Sequence, residues 1–316
     1  MIDRTRLLAG LLLVAAAGAQ AQEPSITTGP AETIDPGLYD CGPDARVSAV
    51  GRIEAEDGTE WIVPADTRFD TAPKAADLYN ECVGVTPSGT GEVDLDAVPV
   101  LDAGGETEFV AWLFGDNYFE LHVNGTLLAV DPVPFTPFNA SVVRFTAERP
   151  LTLALMMVDW EENLGLGSER GRGAAYSPGD GGLTLMLTDA EGEPLLLTDE
   201  SWRAQAYYIA PLVDPSCLDL SGPARDSSGC EIPRSQDGSG YSAAHWSLPD
   251  GWAEPDFDDG GWPRATVFDN DTVGVDGKPG FTNFPDLFDR EGADAQFVWS
   301  SNLVLDNLVL LRRTLD

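Results

Sequence analysis

The stretch "ELHVNGTLLAV" (residues 120–130) decides the fold class. Asn124-Gly125 separates two arms rich in apolar residues, and that dipeptide favours the type I′ turn, whose twist matches that of paired strands. The spacing therefore predicts an antiparallel hairpin. On both sides the chain repeats the theme: "EFVAWLF" (108–114), "SVVRFTA" (141–147), "LTLMLTD" (183–189) and "NLVLDNLVLLRRTL" (302–315) are short apolar runs bounded by turn residues. "LTLALMMV" (151–158) is continuous rather than alternating and would also suit a buried helix. Pro150 before it and Asp159-Trp160 after it limit it to strand length. No long amphipathic helix is evident, and "DLYNEC" (77–82) offers one turn at most. The reading is all-β: an antiparallel β-sandwich over residues 96–316, preceded by a β-rich extension over 22–95. The extension carries its own strand pair, "VSAVGRIEAEDGTEWIVPA", which turns at Asp57-Gly58.

The N-terminus reads as an export signal. Arg4 and Arg6 precede the apolar run from Leu7, which closes on the small-residue triplet Ala19-Gln20-Ala21, so cleavage is expected after Ala21. No later segment has the roughly 20 unbroken apolar residues of a membrane helix. A secreted or periplasmic chain is the expectation. Its 53 Asp and Glu stand against 18 Lys and Arg, a net charge of −35. That field repels a phosphate backbone, which excludes nucleic acid as a partner. The four cysteines, Cys41, Cys82, Cys217 and Cys230, fit disulfides in an oxidising compartment. Three pairings are possible. Cys41–Cys82 with Cys217–Cys230 is the most economical, and its second bridge would close the polar loop "CLDLSGPARDSSGC" within an excursion near 215–245.

From residue 108 the order of motifs adds a resemblance. "NYFELHVNGTLLAVDPVPFTPFNASVVRFTA" (117–147) leads into "LTLALMMVDWEENLGLG". "GGLTLMLTDAEGEPLLLTDESWRA" follows, and "PDGWAEPDFDDGGWPRATVF" closes the series at 268. In this order they resemble the N-terminal accessory jelly roll of bacterial α-L-rhamnosidases, a galactose-binding-like β-sandwich. The helical catalytic barrel that follows in that family has no counterpart here. The resemblance implies a jelly-roll sandwich that binds carbohydrate at a loop end and holds a structural Ca²⁺.

Candidate sites follow from loop chemistry. In "VDWEENLGLGSE" (158–169), Trp160 could stack on a sugar face while Asp159, Glu161, Glu162 and Asn163 read hydroxyl groups. The same acids offer a catalytic pair, since glycoside hydrolysis uses two carboxyl groups flanking the scissile bond. A turn with acids on its surface is the plainer alternative. For calcium, "DNDTVGVDG" gathers Asp269, Asn270, Asp271 and Asp276, without the spacing of an EF-hand. The two histidines, His122 and His245, have no glycine-flanked serine beside them, so acyl transfer is not expected. In "DFDDGGWPRA" (256–265), Phe257, Trp262 and Ala265 read as core anchors, with Asp258 and Asp259 as local turn acceptors. The favoured function is non-catalytic carbohydrate binding. An exported hydrolase or lyase using acids of the Asp159–Glu162 loop, and a structural or adhesion protein, are the alternatives.

Overall fold

The computed structural model describes residues 22–43, 45–171, 173–234 and 240–316. The expected signal segment, 1–21, lies outside the described residues. In chain order the first strands are β1 (Ser25–Thr28), β2 (Glu32–Asp35), β3 (Val50–Glu54), β4 (Glu60–Val63), β5 (Ala76–Tyr79) and β6 (Val100–Asp102). Then come β7 (Thr107–Asp116), β8 (Tyr118–Val123), β9 (Thr126–Val130), β10 (Ala140–Ala147), β11 (Leu151–Val158) and β12 (Gly182–Asp189). The last are β13 (Pro194–Leu197), β14 (Arg203–Leu212), β15 (Ser242–His245), β16 (Thr266–Phe268), β17 (Phe297–Trp299) and β18 (Asp306–Leu315). The expected hairpin is β8–β9, with Asn124 at φ 48° and Gly125 at φ 85°, both left-handed as a type I′ turn requires.

Two large sheets form the body. One is seven-stranded, in the order β1-β15-β14-β18-β11-β8-β9. The other is eight-stranded, with β16-β17-β12-β7-β10-β5 as its path, β13 on β12 and β6 on β10. A small third sheet, β2-β3-β4, contains the expected strand pair around Asp57-Gly58. The antiparallel sheets pack in a sandwich-like arrangement. β11 shows how. Leu151, Leu153, Leu155 and Met157 join the core shared with the eight-stranded sheet, including Phe109, Leu113 and Leu185. Met156 and Val158, on the opposite face, join a second core with Val50, Ile53 and Val63 of the small sheet. A strand covered on both faces is apolar along most of its length, which accounts for the run at 153–158.

The N-terminal residues are woven into this body. β1 pairs with β15 at one edge of the seven-stranded sheet, and β5 pairs with β10 in the other sheet. In "DLYNEC", Asp77–Tyr79 are therefore strand, and Glu81 and Cys82 enter one 3-10 turn at Glu81–Val83. The C-terminal run is strand only from Asp306. Before it, the Asn302 side chain accepts from the backbone N–H groups of Val304 and Leu305 and holds a turn. β18 lies between β14 and β11, in the interior of its sheet.

Both disulfides, Cys41–Cys82 and Cys217–Cys230, are the economical pair. They point to an oxidising, extracytoplasmic setting. The loop closed by the second bridge is held by more than its disulfide. Arg225 lies between the rings of Tyr207 and Trp246, 4.2 and 4.6 Å from their centroids. Ser227 donates to the buried carboxyl of Asp306, which also accepts from Ser300 and Ser301 and from the Asn302 backbone.

In "DFDDGGWPRA", Trp262 and Ala265 are buried, Phe257 packs partly buried against the second core, and Asp258 accepts from the Gly260 backbone as a turn residue should. Asp259 does something else. Its carboxylate bonds the fully buried guanidinium of Arg312 at 2.9 Å, across 53 residues of chain. Arg312 also donates to the carbonyls of Trp252 and Glu254. Asp259→Ala leaves a buried charge with neutral partners only. Chemical denaturation should show a loss of about 2–3 kcal/mol, at the low end for a broken buried pair because Asp259 is partly exposed.

Candidate functional site

The Asp159–Asn163 loop leaves β11 at the end of the sandwich, and its side chains turn inward. Trp160 is 1% exposed. Its indole N–H bonds the Ala49 carbonyl at 3.0 Å, and its ring meets Tyr118 edge-on at 5.8 Å. The expected sugar-stacking face is therefore a core contact, because the small sheet and its loops cover this side of the seven-stranded sheet. Glu161 is 1% exposed and accepts from the backbone N–H groups of Gly165, Leu166 and Gly167 and from the Tyr208 hydroxyl. Burial pushes its pKa up to about 7 against those four donors. Gly167 makes this closure possible: its φ is 51°, and a Cβ there would lie 2.1 Å from the Asn307 side-chain nitrogen. Glu162 accepts from the backbone of Arg170 and Gly171, and Asn163 donates to Ser168. Glu162 and Asn163 bond within the loop, and Glu161 bonds both the loop and Tyr208 of β14.

Asp159 differs. It is 3% exposed, and its carboxylate faces Gly179 rather than the backbone of its own loop. Burial raises its pKa well above the ordinary carboxylate value, and the charges of Asp116, Asp180 and Glu161 raise it further. Asp116, at the end of β7, bonds the Lys278 ammonium at 2.8 Å and the Asn117 amide at 2.6 Å. Asp180, just before β12, is pushed up to about 6 by burial and by Asp116, with Lys278 and Arg46 opposing. Three strand ends and two loops thus bring Asp116, Asp159 and Asp180 together with Lys278 and Arg46.

In front of this cluster lies an open cavity of about 460 Å³, with Arg46, Glu81, Thr136, Phe138, Gly171 and Lys278 among its wall residues. Arg46 is ion-paired with Glu169, and its backbone N–H bonds the Thr136 hydroxyl at 2.9 Å. The Lys278 ammonium sits 3.5 Å from the centre of the Phe138 ring. Glu81 accepts from the Tyr79 hydroxyl and is the neighbour of Cys82, so the Cys41–Cys82 bridge ties this wall to the loop before Arg46.

The structure places the candidate calcium residues in and around a short helical turn. Asp269 caps a single helical turn, α1 (Asn270–Val273), by accepting from the backbone and hydroxyl of Thr272. Asp271 and Asp276 are exposed. Among the described residues no group of three or more Asp, Glu, His or Cys side chains is arranged as metal ligands. His122 and His245 both lie on strands. His245 is stacked between Trp61 and Tyr208, and burial lowers its pKa to about 3.

Sequence reasoning found Asp159 but missed Asp116, Asp180, Arg46 and Lys278, which are far apart in the chain. One signal was available. Lys74 and Lys278 are the only lysines in so acidic a sequence, and each sits 3.5 Å above an aromatic ring. The fold and site define an all-β protein of antiparallel sheets, with two disulfides and a charged cavity at the end of the sandwich. No protein-family model matches this chain, and no significant match is found among curated proteins or solved structures. Among the described residues no helix is long and apolar enough to cross a membrane.

Proposed function

We propose that this is a secreted, non-catalytic carbohydrate-binding protein whose site is the cavity bounded by Arg46, Glu81, Phe138 and Lys278. The observation that carries the reading is the wall's mixture of fixed donors and acceptors around an apolar patch. Sugar hydroxyls both donate and accept, while sugar C–H groups need apolar contact. The resemblance to galactose-binding-like jelly rolls supports the same class. Each charged wall residue is held by a partner, so little ordering is left for the moment of binding. Glycan-array binding followed by calorimetry tests it. Lys278→Met and Glu81→Gln should each weaken binding about tenfold, whereas Trp160→Phe, a core change, should leave affinity intact. Binding insensitive to both wall variants would remove the cavity from consideration.

A hydrolase is the second reading, favoured by the buried Asp159 carboxyl beside Asp180. Glycan turnover abolished by Asp180→Asn in a folded variant would promote it. A calcium-dependent thermal shift without glycan binding would favour a structural or adhesive role.

A further inference from the structure

We infer that the cavity selects an acidic sugar, one bearing a carboxylate or sulfate ester, and seats the anionic group between Arg46 and Lys278. This rests on the carbohydrate-binding reading and names its ligand class. In a chain of net charge −35 with two lysines, a lysine and an arginine on one cavity wall bring together an unusual number of cationic N–H donors. Both are also under-used. Among the described residues the Arg46 guanidinium bonds Glu169 and the Lys278 ammonium bonds Asp116, and each has more donors than that one acceptor consumes. Gly171 leaves the guanidinium uncovered: it lies on the wall in the left-handed region at φ 54°, and a Cβ there would sit 3.4 Å from Nη2 of Arg46.

The cations of the wall are matched by acids, Glu169 against Arg46 and Asp116 against Lys278, with Asp180 close to both, while Asp159 is buried away from the lining. What the cavity offers an anion is therefore the spare N–H donors of the two cations rather than a surplus of charge. Glu81 is the only carboxylate among the described lining residues, and it already accepts from Tyr79. A donor-rich pocket favours an acceptor-rich ligand, and charge-assisted bonds from guanidinium and ammonium to an oxyanion are the strong kind. The remaining acids of the chain act from farther away. Screening over about 8 Å at physiological salt weakens them relative to groups in contact.

The test is calorimetric titration of the full mature protein with uronate oligosaccharides of several epimers and with sulfated oligosaccharides. Each is matched with its neutral form, carboxyl-reduced or desulfated. The expected result is binding of at least one acidic ligand at least about tenfold tighter than its neutral form. Arg46→Met should abolish that preference, and Lys278→Arg, which keeps a cation against Asp116, should retain it. Equal affinity for acidic and neutral forms overturns the acidic-sugar inference and leaves the carbohydrate reading standing. Binding of neither form overturns both. An acidic preference that survives Arg46→Met in a protein with an unchanged melting temperature overturns the placement of the anion. The carboxylate and sulfate arms identify which anion the wall accepts.

Discussion

Lowering the pH from 8 to 6 is expected to raise the thermal midpoint by about 5 °C, measured by scanning calorimetry. The cause is a set of buried carboxyls. Burial pushes Asp131 up to about 8, Glu161 to about 7, and Asp180 and Asp306 to about 6, and raises Asp159 well above the ordinary carboxylate range. In the unfolded chain these groups titrate near 3.8 or 4.5. Between those values and the folded ones the native state holds more protons, so stability is greatest below the unfolded pKa and falls as pH rises through the folded pKa. Each group that is protonated in the folded state and ionised in the unfolded state contributes about 1.4 kcal/mol per pH unit.

The two histidines work the other way. Burial lowers His122 to about 4 and His245 to about 3, so the unfolded state gains protons first as pH falls. Their loss begins only near pH 6.5, at the bottom of the window, whereas Asp131 and Glu161 titrate within it. The carboxyls win. Reduced self-repulsion of the acidic chain acts in the same direction. A midpoint that is flat or falls between pH 8 and 6 would show that these carboxyls stay ionised in the folded protein. Asp131→Asn should remove a measurable part of the slope.

Trp160→Ala should cost about 4 kcal/mol of stability, within the range for a buried tryptophan truncated to alanine. The indole is 1% exposed, meets Tyr118 edge-on and bonds the Ala49 carbonyl. Its removal leaves a cavity between the seven-stranded sheet and the small one, and an unpaired carbonyl at Ala49. Urea denaturation checks the figure. A loss under about 1 kcal/mol would mean that the indole lies at the surface as a loop residue, where the sequence reading had placed it.

That misreading has a specific cause. An acid-rich loop after an apolar strand is locally the same sequence whether it faces water or a third layer. Which it faces depends on residues 22–75, whose small sheet supplies Val50, Ile53 and Val63 to the core where Trp160 packs. The Asp259–Arg312 pair was hidden similarly. Asp258 and Asp259 are equivalent as turn residues, and only the approach of β18 separates their roles.

What this sequence determined by itself is local. Asn124-Gly125 specified a turn, short apolar runs specified strands, and cysteines near in sequence found one another, because turn geometry, side-chain period and loop closure act over a few to a few tens of residues. The site was a tertiary decision. Arg46, Asp116, Asp159, Asp180 and Lys278 meet only when strand ends from both large sheets and two loops converge. The physical reason is burial. Taking these charges out of water made each depend on neighbours that no local pattern names, and the same burial moved Trp160 from candidate ligand platform to core.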